Sequence, residues 1–91
     1  MLDIHAPDLA IEVISSRKNE KNKFIKAYRY LLNGTSIVWV VYPDDKVVYV
    51  CTLETNNSMN VQMFDETMTL TGGDVLPNFT LEVAKIFPNE E

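Results

Sequence analysis

The run TSIVWVVYPDDKVVYVCTL, residues 35–53, leaves the chain little freedom of local structure. β-Branched and aromatic side chains fill both of its halves; these suit a pleated, half-buried surface and lose rotamer freedom in a helix. Between the halves, PDDK supplies turn chemistry: proline pre-sets its own φ, and the aspartates bond to nearby backbone. Two antiparallel strands joined by a short turn are expected. Cys51 reads as a small buried apolar residue of the second strand, not a reactive thiol, because no basic residue or helix terminus is evident beside it. It is the single cysteine of the chain, which excludes an internal disulfide and a cysteine-based zinc site. His5 is also alone, which excludes a site built from several histidines.

Upstream, APDLAIEVIS reads as a buried strand, and SSRKNEKNKFIKAYRYLLNG carries a helix signal. Ser16 or Asn19 can cap its start, and Gly34 after Asn33 is a natural stop. Phe24, Ala27, Tyr28, Leu31 and Leu32 recur at helical spacing and predict the core-facing stripe. Lys26 and Tyr30, four apart, share one flank of it. A strand crossing through a helix into the strand at 36–42 predicts a parallel pair, which the following hairpin extends antiparallel. Downstream, ETNNSMN reads as a polar loop and VQMFDETMTL as one strand or two short ones. TGGDVLPNFTLEVAKIF predicts a Gly-Gly turn, a Pro-Asn bend and a short helical turn that covers the sheet with Leu81, Val83 and Phe87. The expected class is α/β or α+β: a mixed β-sheet with one crossover helix and a short C-terminal helix, in a single domain over residues 1–91.

At 91 residues the chain sits near the size where one core is only just sufficient. No apolar run approaches a membrane span, and the start MLDIHAPD lacks the basic and apolar regions of a signal peptide, so a cytoplasmic protein is expected. The formal charge of −5 does not favour wide contact with a phosphate backbone. Positive charge is nevertheless local, with Arg17, Lys18, Lys21, Lys23, Lys26 and Arg29 in one short segment. Such a run is ordinarily the solvated face of a helix, and it is also compatible with an anionic ligand.

The first strand poses the chemical question, because Asp8 and Glu12 interrupt an otherwise apolar run. A carboxylate buried in a strand is costly unless paired, hydrogen-bonded or bound to a metal. Alternation puts both acids on one face, but four residues of strand hold them roughly 13 Å apart. They cannot share one ion, so a hard-cation site at Glu12 needs an acid from another segment. Mg²⁺ is commonly held by one or two carboxylates together with substrate phosphate. The alternative is that Glu12 pairs with Lys26 or Lys23 on the crossover helix, or lies at a partly wet sheet edge. Asp8, after Pro7, reads as a residue of the turn into the strand.

APDLAIEVISS, Lys26 fourteen residues after Glu12, YLLNGTSIVWVVYPDDKVVYVCTL and LTGGDVLPNFTLEVAKIF together resemble the C-terminal half of the Uma-two family. The resemblance runs in register over nearly the whole chain. It implies a partial restriction-endonuclease-like core of the PD-(D/E)xK type, in which Glu12 ligates Mg²⁺, with Mn²⁺ an acceptable substitute. The lysine position of the motif two residues on is Ile14 here; the family's helix lysine matches Lys26, which would orient the attacking water and offset charge on the scissile phosphate. Tyr30 matches the family's helix tyrosine. Asp8 and Lys23 are lesser site candidates.

The departures are equally specific. Family members are about twice this length, and their N-terminal half supplies the aspartate that completes the metal site. The family's SPS after the strand is SSR here, and Asn22 replaces an aspartate at the helix start. The resemblance thus implies a truncated endonuclease-family domain, catalytically incomplete alone, that forms a homodimer or joins a complementing subunit. The other expectation is a noncatalytic oligomerising or partner-binding structural domain.

Overall fold

The computed structural model describes residues 7–15 and 20–87. His5, both candidate helix caps at Ser16 and Asn19, and the basic pair Arg17 and Lys18 lie outside the described residues. Strand β1 (Leu9–Val13) leads to helix α1 (Glu20–Leu32), then β2 (Ile37–Tyr42), β3 (Val47–Leu53), β4 (Met59–Phe64), β5 (Thr69–Gly72) and β6 (Leu76–Glu82). A single 3₁₀ turn, Val83–Lys85, follows. β1 to β4 form one sheet in that order and β5 and β6 a second, two-stranded one.

The crossover is as expected: β1 runs parallel to β2, with Glu12 in register with Val40, and β2, β3 and β4 continue antiparallel. β2 is buried along its whole length, which explains its unbroken apolar run: it has a covered face on both sides. On one side α1 packs over Ala10, Val38, Val40, Tyr42 and Cys51 through Ala27 and Leu31. Phe24 reaches the same face, edge-on to Tyr49 at 5.6 Å. On the other side Ile37, Trp39, Val41 and Val48 meet Leu70, Val83 and Phe87 from the small sheet and the final turn. The PDDK turn joins β2 to β3, with Lys46 N–H donating to the Pro43 carbonyl.

α1 ends in a Schellman motif. The N–H of Gly34 donates to Leu31 O and that of Thr35 to Tyr30 O, while Gly34 holds φ at +110°. Leu32 departs from the expected stripe: it is exposed, because it falls a full step off the Ala27–Leu31 line as the helix closes. Residues 76–82 belong to strand β6, which the sequence reading did not foresee, but the expected Pro-Asn bend lies within it: Asn78 holds φ at +69°, and residues 77–79 bulge out between the pairs Gly72–Leu76 and Thr71–Thr80. Pro77 is tolerated there because it lies in the bulge, where no ladder N–H is owed. A register shift at Thr71/Gly72 marks a bulge. A Cβ on Gly72 would lie 2.7 Å from the Leu76 carbonyl oxygen, so the close approach requires glycine.

Candidate functional site

Glu12 is buried in the middle of β1, on the face that looks up at α1. Two residues one helical turn apart, Lys23 and Lys26, reach down from α1 to it. The Lys23 ammonium lies 3.2 Å from Glu12 Oε1 and the Lys26 ammonium 3.5 Å from the same oxygen. Lys23 is the better sheltered of the two, its side chain 29% exposed against 53% for Lys26. Lys26 Nζ also sits 5.9 Å from the centroid of the Tyr30 ring, a cation–π distance.

The crossover explains how these residues meet. β1 and α1 are consecutive, the helix must return over the sheet to start β2 beside β1, and its basic flank therefore passes above β1. Two ammonium groups around one carboxylate leave the cluster with one net positive charge. Lys26, the more exposed, is the group with freedom to turn toward an anion outside.

The structure thus brings together Glu12, Lys26, Lys23 and Tyr30. Asp8 stays apart, exposed at the foot of β1, where its carbonyl accepts from Ser36 and Ile37 N–H. Among the described residues no three of His, Cys, Asp and Glu stand close enough to hold a metal ion. Cys51 is buried and its thiol is pushed up to about 11 by that burial, in keeping with an inert core residue.

Two polar atoms escaped the sequence reading. Thr35 Oγ1 and Trp39 Nε1 are buried without a hydrogen-bond partner among the described residues; Trp39 packs on Phe79 with ring centroids 6.1 Å apart. The fully apolar setting of Trp39 in IVWVVY was the available signal that its N–H would find no acceptor.

A profile of the Uma2 family, described as "Putative restriction endonuclease", matches residues 2–84. Among solved structures, a "putative nuclease belonging to DUF820" from Anabaena variabilis shares the fold with a TM-score of 0.78 at 21% identity; the match covers 92% of this chain and 45% of that one. This chain therefore spans less than half the length of that protein. No curated protein matches. Among the described residues no helix is long and apolar enough to cross a membrane.

Proposed function

Because this chain belongs to the Uma2 family, we propose that it carries one half of a phosphodiester-hydrolysing site, with Glu12 and Lys26 in the catalytic roles, and is incomplete as a single chain. The observation that carries this reading is the shared oxygen: Glu12 Oε1 holds the ammonium groups of both Lys23 and Lys26. One ammonium already balances the charge of the carboxylate, and the cluster holds two. The second leaves positive charge facing outward, suited to a phosphodiester, with Lys26 placed to offset charge on a phosphate or to orient water beside it.

Magnesium, or manganese in its place, belongs to this reading only in part. At the Glu12 site the described residues offer one carboxylate, already engaged by two cations, and they hold no group of three ligating side chains. They do not fit a bound divalent ion by themselves, so a second acid has to come from outside them. The Anabaena variabilis structure, in which the matched region is 45% of the chain, is consistent with a fuller domain having such a source. A second reading, a noncatalytic partner-binding domain, is favoured by one observation: Ile11 and Val13 of β1 stand about half exposed.

Supercoiled plasmid DNA with Mg²⁺ or Mn²⁺ separates these readings. The chain alone is expected not to nick it. Addition of the complementary portion of a longer, closely related family member is expected to produce nicking that Glu12→Gln and Lys26→Ala each abolish. Nicking by the chain alone would overturn the incompleteness. Nicking that survives both substitutions would overturn the site, and silence of the complemented pair would leave the partner-binding reading.

A further inference from the structure

Asn33 is the one asparagine of the chain that glycine follows. Elsewhere the next residue carries a side chain, as with Asn57 after Asn56, Ser58 after Asn57, Val61 after Asn60 and Phe79 after Asn78. Gly34 has no Cβ to shield its backbone nitrogen, and its backbone turns with little hindrance. Joining that nitrogen to the side-chain carbonyl carbon of Asn33 closes a five-membered ring. Nucleophile and electrophile are thus covalent neighbours, and water is the only other reactant.

The folded chain holds both groups back. Asn33 Nδ2 donates to the Arg29 carbonyl at 2.7 Å, which draws the side chain back along α1. Gly34 N–H donates to Leu31 O at 3.2 Å, and an attack by this nitrogen first requires that proton to leave. Both bonds belong to the last turn of a helix and its cap, the part of a fold that opens most readily. Asn33 and Gly34 are exposed there, so the end of α1 can open to water while the sheet stays closed.

We propose that Asn33 is a site of spontaneous deamidation, gated by the C-terminal cap of α1. With the cap open, hydroxide removes the Gly34 N–H proton and the nitrogen attacks Asn33 Cγ. The N–Cγ bond forms, the Cγ–Nδ2 bond breaks, and the amide leaves as ammonia after taking a proton from water. The product is a succinimide, which water opens at either carbonyl. Opening at Cγ yields aspartate; opening at the main-chain carbonyl yields isoaspartate, with the chain running through the former side chain.

Both products weaken the cap that made them slow to form. Aspartate has no donor for the Arg29 carbonyl, and it sets a carboxylate beside the last carbonyls of α1, the negative end of the helix dipole. Isoaspartate adds a methylene to the backbone before Gly34. That insertion displaces the Gly34 and Thr35 N–H groups from Leu31 O and Tyr30 O. The Tyr30 ring stands 5.9 Å from Lys26 Nζ, so the loosened turn adjoins the basic cluster.

This inference stands apart from the nuclease reading, and its test uses the chain alone. The chain is held at neutral and at mildly alkaline pH, folded and in urea, then digested by pepsin in acid. Mass spectrometry reads each asparagine peptide, and enzymatic methyl esterification counts isoaspartate. The folded chain is expected to convert Asn33 ahead of Asn56, Asn57, Asn60 and Asn78, faster as hydroxide rises. In urea the conversion should run roughly ten- to a hundred-fold faster, the factor that two hydrogen bonds of ordinary net strength impose. Hydrogen exchange at Gly34 N–H should report the same factor. Asn33→Gln, whose ring closure is six-membered, should abolish the conversion with the circular dichroism unchanged. Asn33→Asp should lower the urea midpoint, as the aspartate product does. A folded chain in which Asn33 keeps its amide as long as the other four would overturn the site. Equal rates folded and in urea would overturn the gate, and an Asn33→Asp midpoint equal to the parent's would overturn the loss of the cap.

Discussion

Lys23 holds Glu12 at 3.2 Å from a more sheltered position than Lys26, which reaches the same oxygen at 3.5 Å. The two lysines should therefore not be equivalent in stability. An ion pair near water contributes on the order of 0–1 kcal/mol, and shielding raises that share. A double-mutant cycle in urea is expected to give a Glu12–Lys23 coupling of about 1 kcal/mol and a Glu12–Lys26 coupling of less than half that. Equal couplings would contradict the difference in shelter. Salt should shrink the Lys26 term more than the Lys23 term.

Gly34 offers a test of how α1 is aimed. Its φ of +110° sits where side chains are rarely tolerated, and the bonds from Gly34 and Thr35 back to Leu31 and Tyr30 depend on it. Gly34→Ala is expected to cost about 1–2 kcal/mol, more than the usual glycine-to-alanine change gains elsewhere. The loss should appear in thermal or urea unfolding. A neutral result would mean that the helix end relaxes without displacing Lys23 and Lys26.

How much of this was legible beforehand differs from element to element. The hairpin at 37–53 and the crossover were legible because β-branched runs and a helical stripe are local patterns, whereas the pairing of Glu12 with Lys23 or Lys26 stood only as one alternative until the helix was placed over β1. Leu32 was misplaced because helical periodicity cannot say where the last turn lifts off the sheet. The bend at Pro77 and Asn78 was legible from its turn chemistry and stands as the bulge with Asn78 at φ +69°; the strand on either side of it was not, because its pairing depends on β5, a contact that no local pattern records. The exposure of Ile11 and Val13 is likewise invisible in APDLAIEVIS, since a run of apolar residues does not announce which face is covered.

The small sheet is expected to be part of the fold's cooperative core. Leu70 is fully buried between β5 and the lower face of the main sheet, in one cluster with Trp39, Val48 and Val83. Leu70→Ala should cost about 2–5 kcal/mol, the range for emptying a closed leucine site. In a chain of this size such a loss removes much of the total stability. Urea unfolding followed by Trp39 fluorescence, together with circular dichroism, should show one coincident transition shifted to lower denaturant. If the two probes separated, the small sheet would be unfolding on its own.

Cys51 makes the high-pH behaviour of the fold predictable in sign. Burial beneath α1 raises its thiol from the ordinary 9.0 to about 11, so the folded state holds its proton longer than the unfolded chain does. Below about pH 9 both states are protonated and stability is indifferent to this group. From pH 9 to 11 the unfolded chain ionises first, and stability declines. Lysines and tyrosines titrate in the same window, so the contrast with Cys51→Ala is the measurement: the parent chain should lose more stability between pH 8 and pH 10.5 than the variant does, as read from urea midpoints. Iodoacetamide should modify Cys51 slowly in the folded protein and rapidly in urea. Fast labelling of the folded chain would show that the β3 core opens locally beneath α1, close to the helix that carries Lys23 and Lys26.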